Sequence, residues 1–257
     1  MAVKAATREK PALQNGEYFA ATARVHCSAM ARLTESLVTE NDRHHAHRYR
    51  IKSRQDQSLA ARALLRALLE TSTDIPGTRW LMRTNEDGRL SATTDGLSHD
   101  LSVSLSHSGN RVACAVSKTG PIGVDVEFCR SDRDVRAIAE YAFTDDDTAA
   151  VRETGAAAFY RIWTMQEAVA KASGAGLAAT LRRCRINAGP STDRPSATLD
   201  GQRFQLDHRR LPDGYSLSLA VYAGGDQKPD QLSSWSTCAP SALARQLEHF
   251  PTIQERR

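Results

Sequence analysis

The chain has 257 residues, 40% hydrophobic and 25% charged, an ordinary balance for a globular protein that folds as one large domain or two small ones packed together. Its 34 basic and 30 acidic residues leave a net charge of only +4, and no nucleic-acid-binding module is recognisable; this argues against a nucleic-acid partner but suits an acidic protein or a polyphosphate. No run of about 18 apolar residues could cross a membrane, and MAVKAATREKPALQNG lacks the apolar core of a secretory signal, so a cytoplasmic location and no membrane partner are expected.

Residues 17–37 are polar and weakly periodic, with room for one strand and one helix. A basic, His-rich stretch follows, NDRHHAHRYRIKSRQDQ, and then LAARALLRALLE at 59–70. There Leu59, Ala63, Leu64 and Leu68 fall at helical spacing, with Arg62 and Arg66 on the other face, predicting an amphipathic helix. Pro76 and Gly77 bar its continuation.

LSVSLSHS and RVACAVS alternate apolar with small or polar residues on either side of an SGN turn, and IGVDVEF follows KTGP. Together they predict a three-stranded antiparallel meander. Residues 133–153 read as a helix and an acidic loop. A long helix is expected from about 155 to 173, ended by Gly174 and Gly176. GYSLSLAVYAGG repeats the character of NRVACAVSKTG, which suggests two α+β halves dividing near residue 120. The domains are therefore read as 1–120, 121–224 and a C-terminal extension, 225–257. Cys27, Cys114, Cys129, Cys184 and Cys238 are odd in number and contain no CxxC pair, so they read as small apolar residues rather than a zinc knot or disulfide framework.

Strand alternation in IGVDVEF puts Ile122, Val124, Val126 and Phe128 on one face and Asp125 and Glu127 on the other. By themselves these carboxylates also fit a solvent-facing edge strand. Phe159, Trp163, Glu167 and Lys171 stand at successive i+4 positions, a stripe that begins aromatic and ends charged, as at the rim of a cleft. An exposed Glu–Lys pair worth about 0.3 kcal/mol explains the last two residues but not the aromatics leading into them. If strand and helix meet, each like-charged pair at about 4 Å costs on the order of 4 kcal/mol, so the cluster needs a proton or a cation, and oxygen donors suit Mg²⁺. SLSHSG places Ser106 and His107 before a tight turn that either cradles a phosphate or is simply a polar hairpin. Arg83 and Arg89 flank NEDG, a turn that could reach the same ligand, and Arg48, Arg50, Lys52 and Arg54 form a basic run that either serves a further phosphate or is a solvated face.

SLSHSG, IGVDVE and FYRIWTMQEAVAKASGAGL stand in one order. With them the chain resembles, from about Arg48 to Tyr222, the 4′-phosphopantetheinyl transferases of the large, surfactin-synthetase-activating type. The resemblance implies an α+β protein built as a pseudo-twofold pair of similar subdomains, acting as a monomer, with coenzyme A in the cleft between them. It implies Asp125, Glu127 and Glu167 as Mg²⁺ ligands and Lys171 as the lysine that neutralises the pyrophosphate. Ser106, His107 and Arg89 correspond to coenzyme contacts, with Arg83 beside them and Arg50 and Arg54 toward the 3′-phosphate. The implied reaction transfers 4′-phosphopantetheine to a serine of an apo acyl or peptidyl carrier protein of fatty-acid, polyketide or nonribosomal-peptide synthesis. Glu167, or a metal-bound water near Glu127, is the expected base. Gln166 replaces a usual lysine and Leu90 a usual proline; the former is expected to remove a positive charge near the phosphates. A Mg²⁺-dependent nucleotide or pyrophosphate hydrolase and a non-catalytic coenzyme-binding relative are the competing readings.

Overall fold

The computed structural model describes residues 18–73, 75–85, 89–95, 97–118, 120–188, 195–224 and 236–238. The first expected strand and helix are β1 (Tyr18–Arg24) and α1 (Ser28–Leu37). The His-rich stretch contributes α2 (Glu40–Ala46), whose start is closed by a reciprocal Thr39–Asp42 capping box. Helix α3 then runs from Lys52 to Thr73.

Helix α3 departs from the amphipathic expectation. From Ala60 to Ser72 it is buried on every side, and Arg66, expected on a polar face, is 1% exposed. Its guanidinium reaches Asp42 Oδ2 at 2.7 Å and donates to the carbonyls of Gly77 and Trp80 at 2.6 Å each. Arg62 adds a second bond to Asp42 at 3.3 Å. Burial pushes the Asp42 carboxyl up, but the hydrogen bond and charge of Arg66 outweigh it and hold the group below its ordinary value. Such an ion pair survives burial because its donors and acceptors are matched; removing one partner typically costs about 3–5 kcal/mol.

A small antiparallel sheet follows, β2 (Trp80–Thr84), β3 (Leu90–Thr94) and β4 (Leu97–Ser98). The predicted hairpin forms as β5 (Ser102–Ser108) and β6 (Arg111–Ser117), which join β1 in one sheet with α3 packed on it. The predicted third strand, β7 (Ile122–Phe128), does not extend that meander. It is the edge of a second sheet, ordered β7, β11 (Tyr215–Tyr222), β10 (Gln202–Arg210), β9 (Ser196–Leu199), β8 (Arg185–Asn187). The acidic run placed in a loop instead opens a helix. Between α4 (Val135–Ala142) and α6 (Ala156–Ser173), α5 (Asp145–Thr154) starts at a Thr144 cap with Asp145, Asp146 and Asp147 in its first turn, where the helix dipole favours anions. Gly174, with φ of 74°, ends α6 in the left-handed conformation, and the short α7 (Leu177–Thr180) follows.

Each half is thus a mainly antiparallel sheet backed by one long helix, α3 or α6, giving a pseudo-twofold α+β architecture. Ala20, Ala113 and Ala115 of the first sheet pack with Ile122, Val124, Val126, Leu217 and Leu219 of the second in a shared core. Within the extension, β12 (Ser236–Cys238) returns to pair in parallel with β1. Among the described residues no helix is long and apolar enough to cross a membrane.

Candidate functional site

The site begins with an absent side chain. A Cβ placed on Gly123 would stand 1.9 Å from the Ala168 carbonyl oxygen and 2.7 Å from the Ala172 nitrogen, so only glycine lets α6 lie this close to β7. Asp125 and Glu127 follow on the same face of the strand, while Glu167 and Lys171 lie on the adjoining side of the helix. Lys171 Nζ donates to Asp125 Oδ1 at 2.7 Å and to the Val124 carbonyl at 3.1 Å. The predicted meeting of strand and helix therefore occurs, and the carboxylate pair is not solvent-facing: Asp125 is 5% exposed.

The acids press on one another. Burial, then the Asp125 charge, raise Glu167 to about 7; Lys171 opposes the shift and Glu127 adds to it. Glu127 is also raised, chiefly by burial, with a hydrogen bond from Ser108 and the charges of Arg133 and Lys171 acting against it. Asp125 Oδ2 is buried without a partner. Among the described residues no three such side chains close on a common point as a finished metal cage. The donor set nevertheless fits a hard divalent cation, since the orphaned Oδ2 and the uncompensated charge at Glu167 are what such an ion would satisfy.

His107 joins the cluster from β5. Burial, then the charges of Arg54 and Lys171, lower its pKa, and its Nδ1 is buried without a partner. Arg54 is thereby placed near His107. Arg89 lies against Gly174 at the end of α6, where an added Cβ would meet its Nε at 2.9 Å. Arg50 and Arg83 are exposed, in the turn before α3 and on β2, and neither is among the charges bearing most on Glu127, Glu167 or His107. Ser106 is drawn to the strand acids: its hydroxyl donates to Asp125 Oδ1 at 2.7 Å.

Gln166 is not where the sequence reading put it. It is fully buried (0% exposed), and neither side-chain amide atom has a hydrogen-bond partner. One residue on a helix is about 100° of rotation, so the neighbour of Glu167 does not share its face. Arg133 is the residue that reading missed. Its guanidinium lies 5.2 Å from the Trp163 ring centre and 5.6 Å from that of Phe159, next to Glu127. The basic segment after IGVDVEF was a signal for it, but only the fold brings that segment over the helix stripe. A groove of about 640 Å³ in the N-terminal half, lined by His26, Cys27, Glu35, Arg43 and Asp56 among others, contains none of these site residues.

A family match falls on the same region. Residues 121–220, which include β7 and α6, match the 4′-phosphopantetheinyl transferase superfamily. A phosphopantetheinyl transferase of Thraustochytrium sp. is 27% identical over 226 residues, 79% of this chain and 77% of that protein. The 4′-phosphopantetheinyl transferase HetI of Nostoc sp. is 38% identical over 82 residues, 30% of this chain and 35% of its own length. The 4′-phosphopantetheinyl transferase gsp of Aneurinibacillus migulanus is 30% identical over 125 residues, 47% of this chain and 49% of its own.

Proposed function

We propose that this chain, a transferase enzyme of the 4′-phosphopantetheinyl transferase superfamily, moves the 4′-phosphopantetheine arm of coenzyme A to a serine of an apo acyl or peptidyl carrier protein, and that it is of the large, surfactin-synthetase-activating type. The observation that carries this reading is the convergence of Asp125, Glu127, Glu167 and Lys171 where β7 meets α6, inside the matched region.

In the proposed reaction the carrier serine oxygen bonds to the β-phosphorus while the bridging phosphorus–oxygen bond breaks, and 3′,5′-ADP leaves with that oxygen. Glu167, whose carboxyl burial and the Asp125 charge raise to about 7 in the metal-free site, is the proposed acceptor of the serine proton. Lys171, fixed by Asp125 and the Val124 carbonyl, holds a cation beside the leaving pyrophosphate charge. His107, kept neutral by its burial and by neighbouring cations, has an unpartnered Nδ1 with which to meet a phosphate. Arg54 and Arg89 extend the positive surface around it, and Arg50 and Arg83 are assigned to the outer phosphate end. Asp125, Glu127 and Glu167 would hold Mg²⁺, which would supply further neutralisation of the pyrophosphate. An acidic surface around the carrier serine would be drawn to the modest basic excess of the chain.

The test is mass spectrometry on a panel of apo-carriers incubated with the protein, coenzyme A and Mg²⁺. A gain of the phosphopantetheine mass, abolished by EDTA, is expected. Cleavage of coenzyme A without any carrier gain would instead identify a hydrolase, and no reaction with any carrier would overturn the assignment.

A further inference from the structure

The two halves meet at a seam made of hydroxyls. Ser102, Ser104, Ser106 and Ser108 alternate along β5, so all four project toward β7, which runs parallel to it at a constant offset. Their oxygens accept the backbone N–H groups of Ile122, Val124, Val126 and Phe128 at 3.1, 3.0, 3.2 and 3.1 Å. These amides face outward from an edge strand, and buried without acceptors each would cost about 1–3 kcal/mol.

A serine hydroxyl has one proton to donate. Ser106 gives its proton to Asp125 Oδ1, and Ser108 gives its own to Glu127 Oε2, each at 2.7 Å. In both cases the acceptor belongs to the residue just before the amide the serine holds. For Ser104 that preceding residue is Gly123 and for Ser102 it is Pro121, neither of which has a carboxylate. The ladder therefore has two purely structural rungs and two rungs that also grip an acid.

We propose that Ser106 and Ser108 are positioning residues that fix Asp125 and Glu127 for the divalent cation, so that the acid cluster takes its working shape only when the two halves are joined. This rests on the function proposed above. It also gives Ser106 an indirect role toward the coenzyme, since its only proton is already committed to Asp125.

The ladder supplies its own controls. Ser104 and Ser106 are similarly buried, at 4% and 7% exposure, and each holds one amide. The full-length Ser102→Ala, Ser104→Ala, Ser106→Ala and Ser108→Ala proteins are compared by urea unfolding and by Mn²⁺ binding in the presence of coenzyme A, read by electron paramagnetic resonance. Comparable losses of stability along the ladder are expected. Mn²⁺ affinity should fall on the order of tenfold for S106A and S108A, as for other groups that orient metal ligands, and stay within about twofold for S102A and S104A. Ser108→Thr, which keeps the hydroxyl, should restore S108A binding. Equal Mn²⁺ affinity in all four alanine variants, or equal weakening in all four, would overturn the proposal. A parent protein that binds no Mn²⁺ would overturn it together with the metal reading. A parent that binds Mn²⁺ with the expected contrast, yet modifies no carrier, would overturn the proposed function and leave the ladder standing.

Discussion

Lys171 Nζ stands 2.7 Å from Asp125 Oδ1, joining the last turns of α6 to the middle of β7. This contact fixes the only ammonium of the cluster against its most buried acid among the described residues. Replacing Lys171 with Met keeps the length of the side chain and removes the charge. We expect kcat for carrier modification to fall on the order of 10²–10³-fold, the usual loss when one preorganised donor is removed from developing phosphate charge. Steady-state kinetics with coenzyme A and a modified carrier check this; a change under about threefold would remove Lys171 from the reaction.

Glu167→Gln separates function from stability. The Glu167 carboxyl is raised from 4.5 to about 7 in the folded chain, first by burial and then by Asp125. Between those values the folded state binds the extra proton, so stability falls as pH rises through the window, and the full penalty is present above about 7. In metal-free buffer at pH 8 the Gln variant should be more stable than the parent by about 1–2 kcal/mol, a figure discounted for partial exposure, and the difference should vanish near pH 4. Transfer should be lost. Urea titrations across pH provide the measurement, and a variant less stable at pH 8 would contradict the electrostatic account.

Gly123→Ala tests the close approach of α6 to β7. The new methyl would meet main-chain atoms of Ala168 and Ala172, which cannot swing aside as a flexible side chain could. Either β7 and α6 separate or the strand distorts. A loss exceeding about 3 kcal/mol, or failure to fold, is expected, as for severe overpacking. A folded variant of parental stability would show that the helix does not rest on this strand.

Gln166→Met should stabilise the protein. Both amide atoms of Gln166 are buried without a hydrogen-bond partner, and Met has similar length with no polar group to desolvate. A gain of about 1–2 kcal/mol is expected as a higher urea midpoint at unchanged slope, with transfer activity within twofold of the parent. A loss of stability would mean that the amide has partners in solution.

The sequence by itself determined the strand IGVDVEF, the helix ending at Gly174 and the hairpin around Gly109 and Asn110. It also determined the facing of Asp125 with Glu127 and of Glu167 with Lys171. These follow from periods of 2 and 3.6 residues and from glycine at a left-handed helix end, which act over a few neighbours. Tertiary structure decided the rest, because the decisive partners lie far away along the chain. Arg62 and Arg66 look like a solvated face until Asp42 and the carbonyls of Gly77 and Trp80 surround them. Strand β7 looks like the continuation of a meander until the β5 serines take its outward amides and leave it in the other sheet. Gln166 looks adjacent to the acids by number and is turned away by helical rotation. The carboxylates could be paired on one element from alternation alone, but bringing strand to helix required the bare backbone of Gly123 under Ala168, a packing condition that no local period encodes.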